Sequence, residues 1–81
     1  MRLFYTSRFQ RSVNRLPKKI QSKLEKQINF LLSDIRYSSL RAKKYDEERG
    51  IWQARIDQNY RFYFLIKDDI YILLDAESHP K

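Results

Sequence analysis

Ile51-Trp52-Gln53-Ala54-Arg55-Ile56-Asp57-Gln58-Asn59-Tyr60-Arg61-Phe62-Tyr63-Phe64-Leu65-Ile66 is the stretch whose pattern decides the fold. Trp52, Ala54 and Ile56 alternate with Gln53 and Arg55, which is the two-residue period of a strand with one buried face. Asp57, Gln58 and Asn59 interrupt with turn chemistry, and Tyr60, Phe62, Phe64 and Ile66 resume the alternation around Arg61 and Tyr63. A turn over those three polar residues sets Ile56 opposite Tyr60, Arg55 opposite Arg61 and Gln53 opposite Tyr63. Two arginines then stand side by side on the outer face, where like charges repel and weaken the sheet. Folding alone has no use for that pair, and an anion held between the two gives it one.

Working outward, Lys67, Asp68 and Asp69 read as a second turn, after which Ile70, Ile72 and Leu74 continue the apolar side. A three-residue turn here puts Ile66 opposite Ile70, Phe64 opposite Ile72, Phe62 opposite Leu74 and Arg61 opposite Asp75. The same parity carries Glu77 and His79 to the arginine face. Upstream, Arg2 to Tyr5 forms a short β-prone run, and Thr6 or Ser7 caps a helix in which Phe9, Val13 and Leu16 recur before Pro17 ends it. Pro17 fits the first turn of a second helix, where Ile20, Leu24, Ile28, Leu31 and Ile35 line one side and Lys19, Lys23 and Lys26 the other. Ser38 to Gly50 has no sustained period, and its Arg41, Lys43, Lys44 block followed by Asp46, Glu47, Glu48 reads as a charged surface connection. The order predicts an α+β domain spanning 1–81: an N-terminal strand and two helices packed on one face of a mostly antiparallel four-stranded sheet. The helices are expected to cover Trp52, Phe62, Phe64, Ile72 and Leu74.

Composition narrows the possible functions. The chain has 81 residues, 42% of them hydrophobic, with one Gly and two Pro, so it has core material and little linker composition. No apolar run reaches the roughly 20 residues that span a bilayer, and Met1 to Tyr5 passes directly into charged sequence, which predicts a cytoplasmic protein without a membrane partner. Absence of Cys excludes disulfides and thiolate metal sites, a single His excludes a histidine-rich one, and no carboxylate motif suggests a metal. The net charge of +7 is uneven: residues 1 to 44 hold 12 Lys and Arg against two acids, and residues 45 to 81 hold five against eight. A basic half of this kind favours polyanionic partners, although lysines on a helix also describe a solvated face.

Phe4-Tyr5-Thr6 followed by Phe9, the Leu16-Pro17 helix break, the Ile51 to Ile56 strand, the Tyr60-Arg61-Phe62 strand start and the terminal His79 together resemble the RelE/ParE superfamily of toxins from bacterial type II toxin–antitoxin systems. The resemblance covers essentially the whole chain and rests on element order as much as on its short motifs. It implies one of two activities on the same scaffold: ribosome-dependent cleavage of mRNA, as in RelE-like members, or non-catalytic inhibition of DNA gyrase, as in ParE-like ones. In either case it implies a cognate antitoxin, acidic in part and lying across the basic surface as a helix or strand, and it calls for no metal or other cofactor. Carried over by position, the RelE-like active face falls on Arg55, Arg61 and His79. Arg61 is then a phosphate clamp assisted by Arg55, and His79, the only side chain with an unperturbed pKa near neutrality, the general acid or base. Tyr63 shares that face. Gln53 stands where RelE has a further hairpin lysine, and the sequence ends at Lys81, before the C-terminal tyrosine that many relatives carry. Gln53, Tyr63, Lys19, Lys23, Lys26, Lys43 and Lys44 are the expected contacts to mRNA and ribosomal RNA.

Overall fold

The computed structural model describes residues 1–79. Its elements follow the expected order: β1 (Arg2–Tyr5), α1 (Ser7–Asn14), α2 (Lys18–Ser33), a short 3-10 turn (Ser38–Leu40), β2 (Lys43–Asp46), β3 (Ile51–Arg55), β4 (Tyr60–Lys67) and β5 (Ile70–Ser78). They form an α+β fold in which one sheet has the order β1-β5-β4-β3-β2, with β1 parallel to β5 and every other pair antiparallel. The four expected strands are therefore joined by a fifth, β2, inside the segment read as a charged connection. Its pattern is hidden because a bulge at Tyr45, between Lys44 and Asp46, breaks the alternation, and because all four of its residues are polar or aromatic.

Both helices start and stop for local reasons. The Thr6 side chain accepts the Phe9 backbone N–H at 3.1 Å, capping α1, and donates its hydroxyl to the Leu73 carbonyl at 2.8 Å, which ties the cap to β5. Pro17 stands at the N-cap of α2 with φ −54° and interrupts the path from α1. Ile20, Leu24, Ile28 and Leu31 are buried along one side of α2, each stabilising the fold by about 1.5–3 kcal/mol relative to an exposed position. They meet Ala54, Phe62, Phe64, Tyr71, Leu73 and Ala76 from the sheet, with Phe9 and Leu16 from the first helical region. Among the described residues, no helix is long and apolar enough to cross a membrane.

The first hairpin has the expected register: Arg55 opposite Arg61, Gln53 opposite Tyr63 and Trp52 opposite Phe64, with the Ile56 N–H donating to the Tyr60 carbonyl at 2.9 Å. The second does not. Its turn has two residues, Asp68 and Asp69, so Lys67 pairs with Ile70, Phe64 faces Leu73 and Leu65 faces Ile72. Tyr71 and Leu73 are thus the buried residues under the helices, and the expectation of Ile72 and Leu74 there is corrected. A bulge then takes up Leu74, so that Tyr63 faces Asp75, Phe62 faces Ala76 and Arg61 faces Glu77 rather than Asp75. Asp75 instead accepts from Arg8 at 3.2 Å and from the Ser12 hydroxyl, anchoring α1 to β5.

Asp68 holds the second turn in the left-handed region, with φ 55°. An L-residue there carries strain of about 1–2 kcal/mol that glycine lacks, partly offset by the chain freedom glycine adds to the unfolded state. Asp68→Gly is therefore expected to stabilise the protein by about 0.5–1 kcal/mol, read as a higher urea midpoint at unchanged slope. A lower midpoint would show that the aspartate side chain contributes more than its backbone strain removes.

Candidate functional site

The face of the sheet away from the helices carries the residues singled out by the sequence. Arg55 ends β3, and Arg61, the second residue of β4, stands directly opposite it. One step along, Lys43 of β2, Gln53 of β3 and Tyr63 of β4 stand in one row across three strands. Beyond β5, the His79 N–H donates to the Asn59 carbonyl at 2.7 Å, which draws the end of the strand in beside the first hairpin's turn.

These residues converge on a cavity of about 270 Å3 lined by Arg41, Lys43, Gln53, Ala54, Arg55, Arg61 and His79. Three arginines, a lysine and an imidazole thus share one small cavity, with no carboxylate among its described lining residues. Glu77, opposite Arg61 in register, lines the neighbouring grooves instead.

Arg61 is the most constrained member, only 8% exposed. Its Nη1 donates to the carbonyls of Asp57 at 2.7 Å, Tyr60 at 2.9 Å and Gln58 at 3.4 Å, so one end of the guanidinium closes the hairpin turn from inside. Burial, and next the positive charge of Arg55, draw its pKa below the usual arginine value, with Arg41 adding to the same effect. The group remains charged at neutral pH because an arginine starts so far above it. Cations crowded in this way are a standing attraction for a multivalent anion, which relieves their mutual repulsion as it binds.

The turn beneath Arg61 is held by Asp57. Its Oδ1 accepts from the Asn59 N–H at 2.8 Å and the Tyr60 N–H at 3.0 Å, and its Oδ2 meets Lys23 Nζ of α2 at 3.3 Å. Burial pushes the Asp57 carboxyl up, but the Asn59 N–H, Lys23 and the Tyr60 N–H together outweigh it and leave the pKa below the ordinary 3.8. A carboxyl lowered on folding adds stability above its unfolded pKa and loses it as pH falls through the folded value. Asp57→Asn is accordingly expected to destabilise the protein at pH 7, with the difference from wild type closing as urea titrations are carried down to about pH 3 and below. A gap independent of pH would assign the effect to the turn's hydrogen bonds rather than to the charge.

Other expected contacts are dispersed. Tyr63 is buried, its hydroxyl accepting from Gln53 Nε2 at 3.3 Å and its ring 5.0 Å from that of Tyr45, so it orients Gln53 and does not line the cationic cavity. Burial, chiefly, raises its pKa above the ordinary value, which keeps the phenol protonated. Lys44 lies on the helix side of β2, its ammonium 5.4 Å from the centre of the Trp52 ring. Lys19 and Lys26 are exposed on α2, while Lys23 is engaged by Asp57.

Two residues of the site were not singled out by sequence. Arg41 follows the 3-10 turn in the left-handed conformation, φ 45° and ψ 45°, and lines the cavity from the loop, a placement that leaves no periodic trace. A non-glycine residue so held is the kind of local strain that collects at functional sites. Gln27 is buried on the apolar side of α2, and a polar residue on that stripe, one helical turn from Leu24 and Leu31, was a visible signal.

Together the fold and the cavity define a class: a two-helix, mixed-sheet scaffold that presents clustered cations on its uncovered face. Solved structures share that scaffold. The chain superimposes on a YoeB/ParE toxin from Agrobacterium tumefaciens with TM-score 0.81 at 15% identity, covering 99% of this chain and 100% of that one. It does so on YafQ from E. coli with TM-score 0.78 at 13% identity, covering 98% and 94%. The toxin–antitoxin complex RelBE2 from Mycobacterium tuberculosis gives 0.76 at 21% identity, covering 96% of each chain. Neither a protein-family model nor a curated protein sequence matches the chain. The fold is that of the RelE/ParE superfamily of toxins.

Proposed function

We propose that this protein is the toxin of a type II toxin–antitoxin system, a cytoplasmic endoribonuclease that cleaves mRNA on the ribosome and is held inactive by a cognate antitoxin. The observation that carries the reading is the convergence of Arg41, Lys43, Arg55, Arg61 and His79 on one cavity with no carboxylate among its described lining residues. Structural neighbours solved as toxin–antitoxin complexes, including RelBE2 and the DinJ–YafQ complex of E. coli, support the antitoxin.

The reaction is attack of a ribose 2′-hydroxyl on the adjacent phosphorus, forming a 2′,3′-cyclic phosphate and expelling the 5′-oxygen of the next nucleotide. Negative charge builds on the non-bridging oxygens, and Arg55 with Nε and Nη2 of Arg61 neutralises it. His79, which lines the cavity, takes the hydroxyl proton or supplies one to the leaving oxygen. Gln53, steadied by Tyr63, offers a neutral amide where a lysine would add charge. Lys19 and Lys26, exposed on α2, and Lys43 are the contacts to the RNA backbone.

In a reconstituted bacterial translation reaction, the purified protein is expected to cut mRNA only when ribosomes are present, and His79→Ala to slow cutting by about 10²-fold or more. Intact mRNA in every lane would sink the nuclease reading. One observation favours the alternative, a ParE-like inhibitor of DNA gyrase: Arg61 Nη1 is already bonded to three carbonyls of its own chain. Inhibition of gyrase supercoiling by both wild type and His79→Ala, with mRNA untouched, would establish it.

A further inference from the structure

The cations of the site hang on separate segments, Arg41 behind the 3-10 turn, Arg55 at the end of β3 and Arg61 at the start of β4, and they repel one another. Something must fix their spacing before an anion arrives. The buried Gln27 amide of α2 donates from Nε2 to the Arg55 carbonyl at 2.9 Å and to the Ser39 carbonyl at 3.1 Å, and its Oε1 accepts the Ser39 hydroxyl at 3.1 Å. One side chain, with every polar atom satisfied, therefore ties the segment that carries Arg41 to the strand end that carries Arg55. One helical turn earlier on the same side, Lys23 meets Asp57, whose carbonyl receives Arg61 Nη1 at 2.7 Å. A helix is rigid over four residues, so both walls of the cavity are referenced to one piece of α2.

We propose that Gln27 and Lys23 are positioning residues that set the separation of Arg41, Arg55 and Arg61 for binding a phosphate group, so that the role of Lys23 is to hold Asp57 and not to touch RNA. This rests on the reading of the cavity as a phosphate site. Gln27 suits the task because only an amide presents two donors and an acceptor at that length. Methionine matches its shape with none of them, and glutamate lacks the donors.

The test is titration of the 15N-labelled full chain with inorganic phosphate, followed at the arginine Nε–Hε NMR signals, with thermal melting to confirm folding. Wild type is expected to show saturable shifts at Arg55 and Arg61, and Gln27→Met to bind at least about fivefold more weakly while still folding cooperatively, since small errors of placement cost a preorganised site heavily. Lys23→Met should weaken binding in the same direction and Lys23→Arg should restore it. Asp57→Asn should match Lys23→Met, and the double variant should be no worse than either single one. Wild-type affinity in folded Gln27→Met overturns the role of Gln27. Tighter binding in Asp57→Asn, the result of freeing a lysine that itself touches phosphate, overturns the role of Lys23. If Gln27→Met fails to fold, Ser39→Ala loosens the same amide from outside, and wild-type affinity in that variant overturns the role of Gln27 as well. Absence of binding in wild type is a different failure, that of the phosphate-site reading itself.

Discussion

Arg61→Ala is expected to lower mRNA cleavage by about 10²–10³-fold, the usual loss when one preorganised donor to a developing oxyanion is removed. The loss will not be purely chemical. Arg61 is 8% exposed and its guanidinium closes the turn through the Asp57, Gln58 and Tyr60 carbonyls, so alanine removes the side-chain donor from the part-buried Asp57 carbonyl, while the Tyr60 carbonyl keeps the Ile56 N–H. A drop of about 1–3 kcal/mol in unfolding free energy should accompany it. Arg55→Ala separates the two effects. Arg55 is half-buried, makes no side-chain hydrogen bond among the described residues and repels Arg61, so its removal should leave stability within about 0.5 kcal/mol of wild type while still lowering cleavage. Urea titration and ribosome-dependent cleavage on the same three proteins decide the matter. Full cleavage by Arg61→Ala would remove Arg61 from the chemistry, and an unchanged urea midpoint would remove it from the turn.

The double role of Arg61 also shows what the sequence could and could not reveal. Its position opposite Arg55 was legible because Asp57-Gln58-Asn59 leaves one way to close the hairpin, and the Asp57 carboxylate does close it, on the Asn59 and Tyr60 N–H groups. The second hairpin was ambiguous because Lys67 reads equally well as the last strand residue or the first turn residue. The structure makes it the former, which shifts the register by one and turns Tyr71 and Leu73, rather than Ile72 and Leu74, toward the helices. The bulge at Leu74 then shifts it by one more. Two one-residue shifts restore the original parity, so Glu77 stands opposite Arg61 and His79 lines the arginine cavity even though the intervening pairs were misread. A bulge of this kind has no compositional signature, since it is chosen by the packing of both strands at once. Arg41 and β2 were illegible for a related reason: the loop's backbone path, not its periodicity, places them.

β4 joins the site to the core in one strand, and this gives the second large effect. Phe64, fully buried, stands two residues from Phe62 and opposite Trp52, with ring centres 5.8 Å from Phe62, 6.2 Å from Trp52 and 5.6 Å from Tyr71, the last edge-on. It is the centre of the aromatic cluster under α2, and its neighbours belong to β3, β4 and β5, so no single side chain is free to swing into the gap. Phe64→Ala should therefore cost about 3–5 kcal/mol, near the upper range for a core truncation because the site collapses poorly. In a domain of this size that is a large share of the roughly 5–15 kcal/mol available. The variant is expected to be largely unfolded at 37 °C and to lose activity for that reason alone. Phe64→Leu, which keeps most of the volume, should retain the fold and, with Arg55 and Arg61 held on the opposite face by unchanged backbone pairing, most of its cleavage. A folded Phe64→Leu protein with normal stability but no cleavage would show that the aromatic cluster tunes the cationic face directly. Unfolding by urea with tryptophan fluorescence is the natural readout, since Trp52 lies in the same cluster.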